Sequence, residues 1–152
     1  MLRQWLFGAA VSAGNIVIHA LVMLAVVRVA QLVASRNSGH RSALLVSVMV
    51  ATVLVLMAAH ACEVMVWALA YAIVEAAPAG ADLVYFAFVN YTTLGYGDVI
   101  PVERWRLLGP MTAMNGVLLF GWSTAVIFEV LRRTMALDPR FAIIAGASQD
   151  SP

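Results

Sequence analysis

The stretch from Ser42 to Ala76 is almost wholly apolar, with Glu63 and Glu75 its only acids. A helix needs ~20 such residues to cross a bilayer, and this run exceeds that. Two further apolar runs, from about Gln4 to Ser35 and from Leu107 to Leu131, accompany it. A chain of 152 residues with 63% hydrophobic and 11% charged residues cannot hide that much apolar surface in a water-soluble core. The same balance excludes disorder. Lipid therefore acts as the solvent, and each backbone amide must be satisfied within the protein. The expectation is an all-α membrane protein with three transmembrane helices.

The start of the chain has a weak likeness to a signal peptide: Arg3, a short apolar run from Trp5 to Val11, then Ser12, Ala13 and Gly14. The apolar pattern continues to Ala34, so residues 1–35 read as an uncleaved first span. A polar turn follows, Ser35 to Ser42. The second helix covers 42–76 and closes at Ala77-Pro78-Ala79-Gly80. A segment over 82–92, rich in aromatics (Tyr85, Phe86, Phe88, Tyr91), is too short to span. A Gly-rich strip occupies 93–98, the last helix 107–133, and a short tail 134–152. Irregular backbone at membrane depth is tolerated only where it is buried in protein or lines water. A Gly-rich strip directly after a half-length helix therefore implies a water-filled cavity.

All nine basic residues are Arg, scattered singly or in pairs. No basic patch points to nucleic acid. The bias of Arg near the spans, with Arg36, Arg41, Arg132, Arg133 and Arg140 on one side and Arg3, Arg104 and Arg106 on the other, places the N-terminus outside and the C-terminus in the cytoplasm of a cell-membrane protein. Cys62 is the single cysteine, so no intrachain disulfide forms, and its apolar context suggests a small buried hydrophobe.

The string Thr93-Leu94-Gly95-Tyr96-Gly97-Asp98 resembles the selectivity filter of potassium channels, whose usual spelling has Val at the place of Leu94. The resemblance runs from about Ala43 to Arg133 and leaves out the first helix and the tail. It implies a pore domain over 36–133 and a homotetramer, since one chain supplies one strip of a ring. By resemblance, the carbonyls of Thr93, Leu94, Gly95 and Tyr96 replace the water that K⁺ sheds, with the Thr93 hydroxyl at the inner end. The Tyr96 ring packs outward on the pore helix. Asp98 bonds behind the strip at the outer mouth. Gly95 and Gly97 accept the positive φ that an alternating carbonyl row demands. Thr92, Asn90 and Glu63 are candidate supports of the filter. K⁺ is then the permeant ion, and no organic cofactor is expected. The competing reading is a weakly selective monovalent cation channel, for which Leu94 and the polar Asn90 leave room. The short helix ends at the filter, where its negative pole favours a cation. Asp82 is read as its N-cap.

On the last helix, Gly116 and Gly121 are candidates for a hinge or for close helix packing. Asn115, Trp122 and Glu129 recur every seven residues and, with Arg133, are candidates to line an inner cavity. Glu129 paired with Arg132 or Arg133 is the plainer reading.

His60, Glu63, Trp67 and Tyr71 form one stripe of the second span, and Ser12, Asn15 and His19 one of the first. At 1.5 Å per residue, His19 stands ~24 Å above Ser35 and His60 ~27 Å above Ser42, a similar level. The first two spans are expected to face each other there, joining His19 to His60 and Glu63. Three readings follow: a structural tie between helices, support behind the filter through Asn90 or Tyr91, and pH sensing by His60 or His19. A fourth, from another class, is a membrane metalloenzyme using His19, His60 and Glu63, for which two ligands three residues apart are slender grounds. No row of Arg at every third position marks a voltage sensor. With no soluble domain expected after Arg133, gating falls to lipid, pH, tension, the filter or an unidentified partner.

Overall fold

Three long helices and one short one make up the chain. The structure is a computed structural model and describes residues 1–36 and 41–136. In chain order, α1 covers Leu2–Arg36, α2 Arg41–Val74, α3 Leu83–Tyr91 and α4 Leu108–Ala136, with a 3₁₀ turn at Glu103–Trp105 before α4. No strand occurs among the described residues. Leu2–Leu32, Ala43–Val74 and Glu103–Met135 are long and apolar enough to cross a membrane. The helix α4 runs three residues past Arg133, into the segment expected as tail. The turn at 37–40 and the tail from 137, with Arg140, lie outside the described residues.

Local chemistry explains the helix ends. The N–H of Ala76 reaches the carbonyl of Tyr71 (2.9 Å) and that of Glu75 reaches Ala72 (3.3 Å), with Glu75 at φ 50°. This is a Schellman cap carrying Glu where Gly is usual. The next residues, Ala77 to Gly80, cannot continue a helix because Pro78 lacks the donor. Asp82 caps α3, accepting from Val84 N and Tyr85 N at 3.0 and 3.1 Å. Pro110 sits in the first turn of α4, where its missing N–H costs no intrahelical bond.

The first helix faces α2, as expected, and packs against α4 as well. Gly8 permits this approach, since a Cβ there would stand 2.6 Å from the Met111 sulfur. The side chain of Gln4 accepts the Leu107 N–H at 2.9 Å, and the Arg3 guanidinium lies 5.0 Å from the Trp105 ring centre. A core of Trp67, Tyr71, Phe86, Tyr91, Trp105 and Leu108 ties α2, α3 and the start of α4 together at one end. Met23, Val26, Val48, Leu56, Val126 and Val130 join α1, α2 and α4 at the other. Cys62 corrects the sequence expectation: it is exposed on the outer face of α2, because the buried stripe there is occupied by Glu63, Val64 and Trp67.

Candidate functional site

The Gly-rich strip begins as the cap of α3. The N–H of Thr93 bonds the Asn90 carbonyl at 3.0 Å, and those of Leu94 and Gly95 bond the Val89 carbonyl at 3.0 and 3.4 Å. Thr93 stands at φ 60°, which completes a second Schellman arrangement without glycine. A β-branched residue in this region is an outlier, held there only where surrounding bonds over-determine it. The sign of φ is positive at Thr93 (60°), Gly95 (60°) and Gly97 (80°), three alternate positions. Sequence reasoning found the two glycines and missed Thr93, because nothing in its side chain signals a left-handed residue.

The strip is open. Residues 92–98 are all exposed in the single chain, Leu94 at 54% and Tyr96 at 69%. The Tyr96 ring is thus left largely uncovered by its own chain. Asp98 accepts a 2.7 Å bond from the Tyr85 hydroxyl on α3. That bond, and with it the carboxylate's charge, holds the Tyr85 phenol above its ordinary range, so alkaline conditions do not readily release it. Of the other expected supports, Thr92 Oγ bonds the Phe88 carbonyl (2.7 Å) and Asn90 Nδ2 the Phe86 carbonyl (2.9 Å). Both side chains brace α3 itself rather than reach the strip.

Behind α3 the structure brings the two polar stripes together. His19 Nδ1 lies 2.7 Å from Glu63 Oε1, and His60 Nδ1 lies 2.9 Å from Glu63 Oε2. The Tyr91 hydroxyl donates to the same Oε2 and is 2.9 Å from His60 Nδ1. Glu63 and His19 are fully buried, and His60 is 14% exposed. The hydroxyl of Ser123, on α4, stands 3.0 Å from His60 Nε2 and 3.3 Å from His19 Nε2. Ser123 was not among the residues singled out by sequence; a serine inside an apolar helix offers no periodic partner to flag it.

One turn outward, Trp67 Nε1 and Asn15 Nδ2 both donate to Asn115 Oδ1, at 2.9 and 3.1 Å. Tyr71 and Thr112 share a 2.6 Å bond. Asn115 is thus buried in the seam of α1, α2 and α4, which corrects its assignment to a cavity wall. Of the two glycines, Gly116 is buried against α3: a Cβ there would lie 2.0 Å from the Tyr91 carbonyl oxygen. At Gly121 an added Cβ would meet nothing within 4 Å. Glu129 pairs with Arg132 at 2.9 Å and with Arg133.

His19, His60 and Glu63 offer ligand atoms within 4.8 Å of one another. Ligands at ~2.0–2.1 Å from one zinc ion stand ~3.3 Å apart at tetrahedral angles. The nitrogen–oxygen separations of 2.7 and 2.9 Å are instead those of charge-assisted hydrogen bonds. The cluster is built as a hydrogen-bonded knot.

Three apolar spans, with a capped half-helix and an open Gly-rich strip between the last two, define an all-α membrane protein of pore-loop design. A family model described as "Ion channel" matches residues 43–133, more than half of the chain. The chain belongs to this ion channel family, and membership implies transport rather than catalysis. No match was found among curated proteins or among solved structures.

Proposed function

We propose that the chain forms a homotetrameric, passive, K⁺-selective channel in the cell membrane, with its N-terminus outside and its C-terminus in the cytoplasm. The observation that carries this reading is the run of positive φ at Thr93, Gly95 and Gly97 in a strip left open by its own chain. Alternating handedness turns successive carbonyls toward one side, which is what a row of oxygens for a dehydrated cation requires. The carbonyls of Thr93, Leu94, Gly95 and Tyr96, with the Thr93 hydroxyl, would contribute one quarter of each ring. The exposed Tyr96 ring and Leu94 side chain then find their cover on neighbouring copies. The negative pole of α3 lies at the start of the strip, and the strip's own N–H groups occupy only some of its last carbonyls.

Reversal potentials of reconstituted protein under opposed K⁺ and Na⁺ gradients test the reading. A K⁺-selective channel follows the K⁺ gradient, whereas a value near zero supports the weakly selective alternative. Gly95→Ala is expected to cut K⁺ flux at least tenfold while the protein still assembles. Within its own chain a Cβ at Gly95 meets only the Thr93 oxygen at 3.8 Å, so the fold of the subunit is spared. The left-handed backbone, costing about 1–2 kcal/mol for an L-residue, is penalised in every copy. Undiminished flux in that variant would remove the filter assignment.

A further inference from the structure

Glu63, His19, Ser123 and His60 close a ring of four hydrogen-bond edges: Oε1 to Nδ1 of His19, Nε2 of His19 to Oγ, Oγ to Nε2 of His60, and Nδ1 of His60 to Oε2. Each edge needs one proton. A carboxylate brings none, a neutral imidazole one, and a serine hydroxyl one. With Glu63 ionised and both histidines neutral, the ring holds three protons for four edges and one uncompensated buried charge. A fourth proton fills the last edge and neutralises the ring in the same step. Tyr91 stands outside this count, since it donates its own proton to Oε2.

We propose that this ring is a binding site for a single proton, shared between His19 and His60, that ties α4 to α1, α2 and α3. The groups facing it are His19 from α1, His60 and Glu63 from α2, and Tyr91 from α3. From α4 come the Ser123 hydroxyl and the rings of Trp122 and Phe120, none of which titrates. The carboxylate draws both Nδ1 protons to itself. The edge emptied on proton release is therefore one of the two at Ser123, where an imidazole lone pair then faces a hydroxyl lone pair. Low pH fills the tie, and rising pH opens it on the inner-helix side, beside the Gly121 position.

Two substitutions separate this site from a plain structural tie. Glu63→Gln supplies an amide proton in place of the fourth one, so its ring is complete at every pH. Ser123→Ala deletes both outer edges, and Ser123→Thr restores the hydroxyl. The experiment is ¹⁵N imidazole spectroscopy of the full chain in lipid nanodiscs, in a His40→Gln background so that only His19 and His60 report. Thermal midpoints are measured over the same pH series. In the parent, the two histidines together carry one imidazolium equivalent at low pH and lose it in one step, with the midpoint falling as pH rises. Glu63→Gln shows neither change. Ser123→Ala moves the step down by about one pH unit, a tenfold loss of proton affinity, and Ser123→Thr brings it back. Two independent one-proton steps in the parent, or a Glu63→Gln chain that titrates as the parent does, overturns the proposal. None of these readouts uses ion flux, so a failure of the channel reading leaves the result interpretable.

Discussion

Gly116→Ala is expected to abolish the stable channel, whereas Gly121→Ala, five residues along the same helix, leaves it intact. At Gly116 the new methyl group would sit 2.0 Å from the carbonyl oxygen of Tyr91 and 3.0 Å from its carbon. These are backbone atoms at the end of α3, so no rotamer change relieves the clash. Either α4 withdraws or the end of α3 shifts, and Thr93 lies two residues further on. Overpacking of this kind costs typically about 1–3 kcal/mol, more when backbone must move, and each copy in an assembly bears it. Gly121 is exposed with no atom within 4 Å, so Ala there gains up to ~1 kcal/mol of helix propensity. Thermal melts and size-exclusion profiles in detergent compare the two. A Gly116→Ala chain as stable as the parent would show that α4 and α3 are not packed as described. An unchanged melt with slowed opening in Gly121→Ala would mark that glycine as the hinge.

Most of the architecture is legible in the chain because lipid enforces it. Long apolar runs must become helices, so the three spans need no tertiary information. Asp82 announces the start of α3 by its residue type, and the polar stripes of the first two spans could be matched by depth alone. What resists sequence reading depends on a third partner. Asn115 reads as a cavity residue from its seven-residue spacing with Trp122 and Glu129, yet Asn15 and Trp67 claim it from two other helices. Gly116 and Gly121 are the same residue type on one helix, and the position of the Tyr91 carbonyl separates their surroundings. Cys62 sits beside Glu63 in sequence but points away from the knot. Thr93 and Glu75 take left-handed backbone because hydrogen bonds to preceding carbonyls hold them, which no side-chain property records. The joining of His19, His60 and Glu63, and the reach to Tyr91, was therefore visible in the sequence, whereas the bonds that Ser123 and Asn115 add from α4 were not.

Glu63→Leu is expected to prevent stable folding of the bundle, while Glu75→Gln just past the same helix has little effect. Leucine matches the volume roughly but accepts no hydrogen bond. His19, His60 and Tyr91 would each lose a bond to its oxygens, with the 2.9 Å contact between His60 and Tyr91 left as compensation for those two. An orphaned buried donor costs about 1–3 kcal/mol. Hydrogen bonds between membrane helices average about 0.6 kcal/mol because the unfolded helices find other partners in the bilayer. Even at that lower value, the three losses act together, on three different helices, around a carboxylate with no exposure. The two values bracket a loss from about 2 kcal/mol upward, enough to shift a marginal membrane protein toward dissociated helices. Glu75, in the exposed cap just past α2, pairs with the exposed Arg104, and such pairs contribute little. Glu63→Gln is the informative intermediate: it keeps an oxygen toward Tyr91 and His60 and offers an amide toward His19, so most of the parent's stability returns. The ordering to be measured by thermal melts at low pH, where the parent's ring holds its fourth proton, is parent close to Glu75→Gln, then Glu63→Gln, then Glu63→Leu well below. A Glu63→Leu chain that melts with the parent would mean that the bundle is held by apolar packing alone and that the buried knot contributes nothing to its stability.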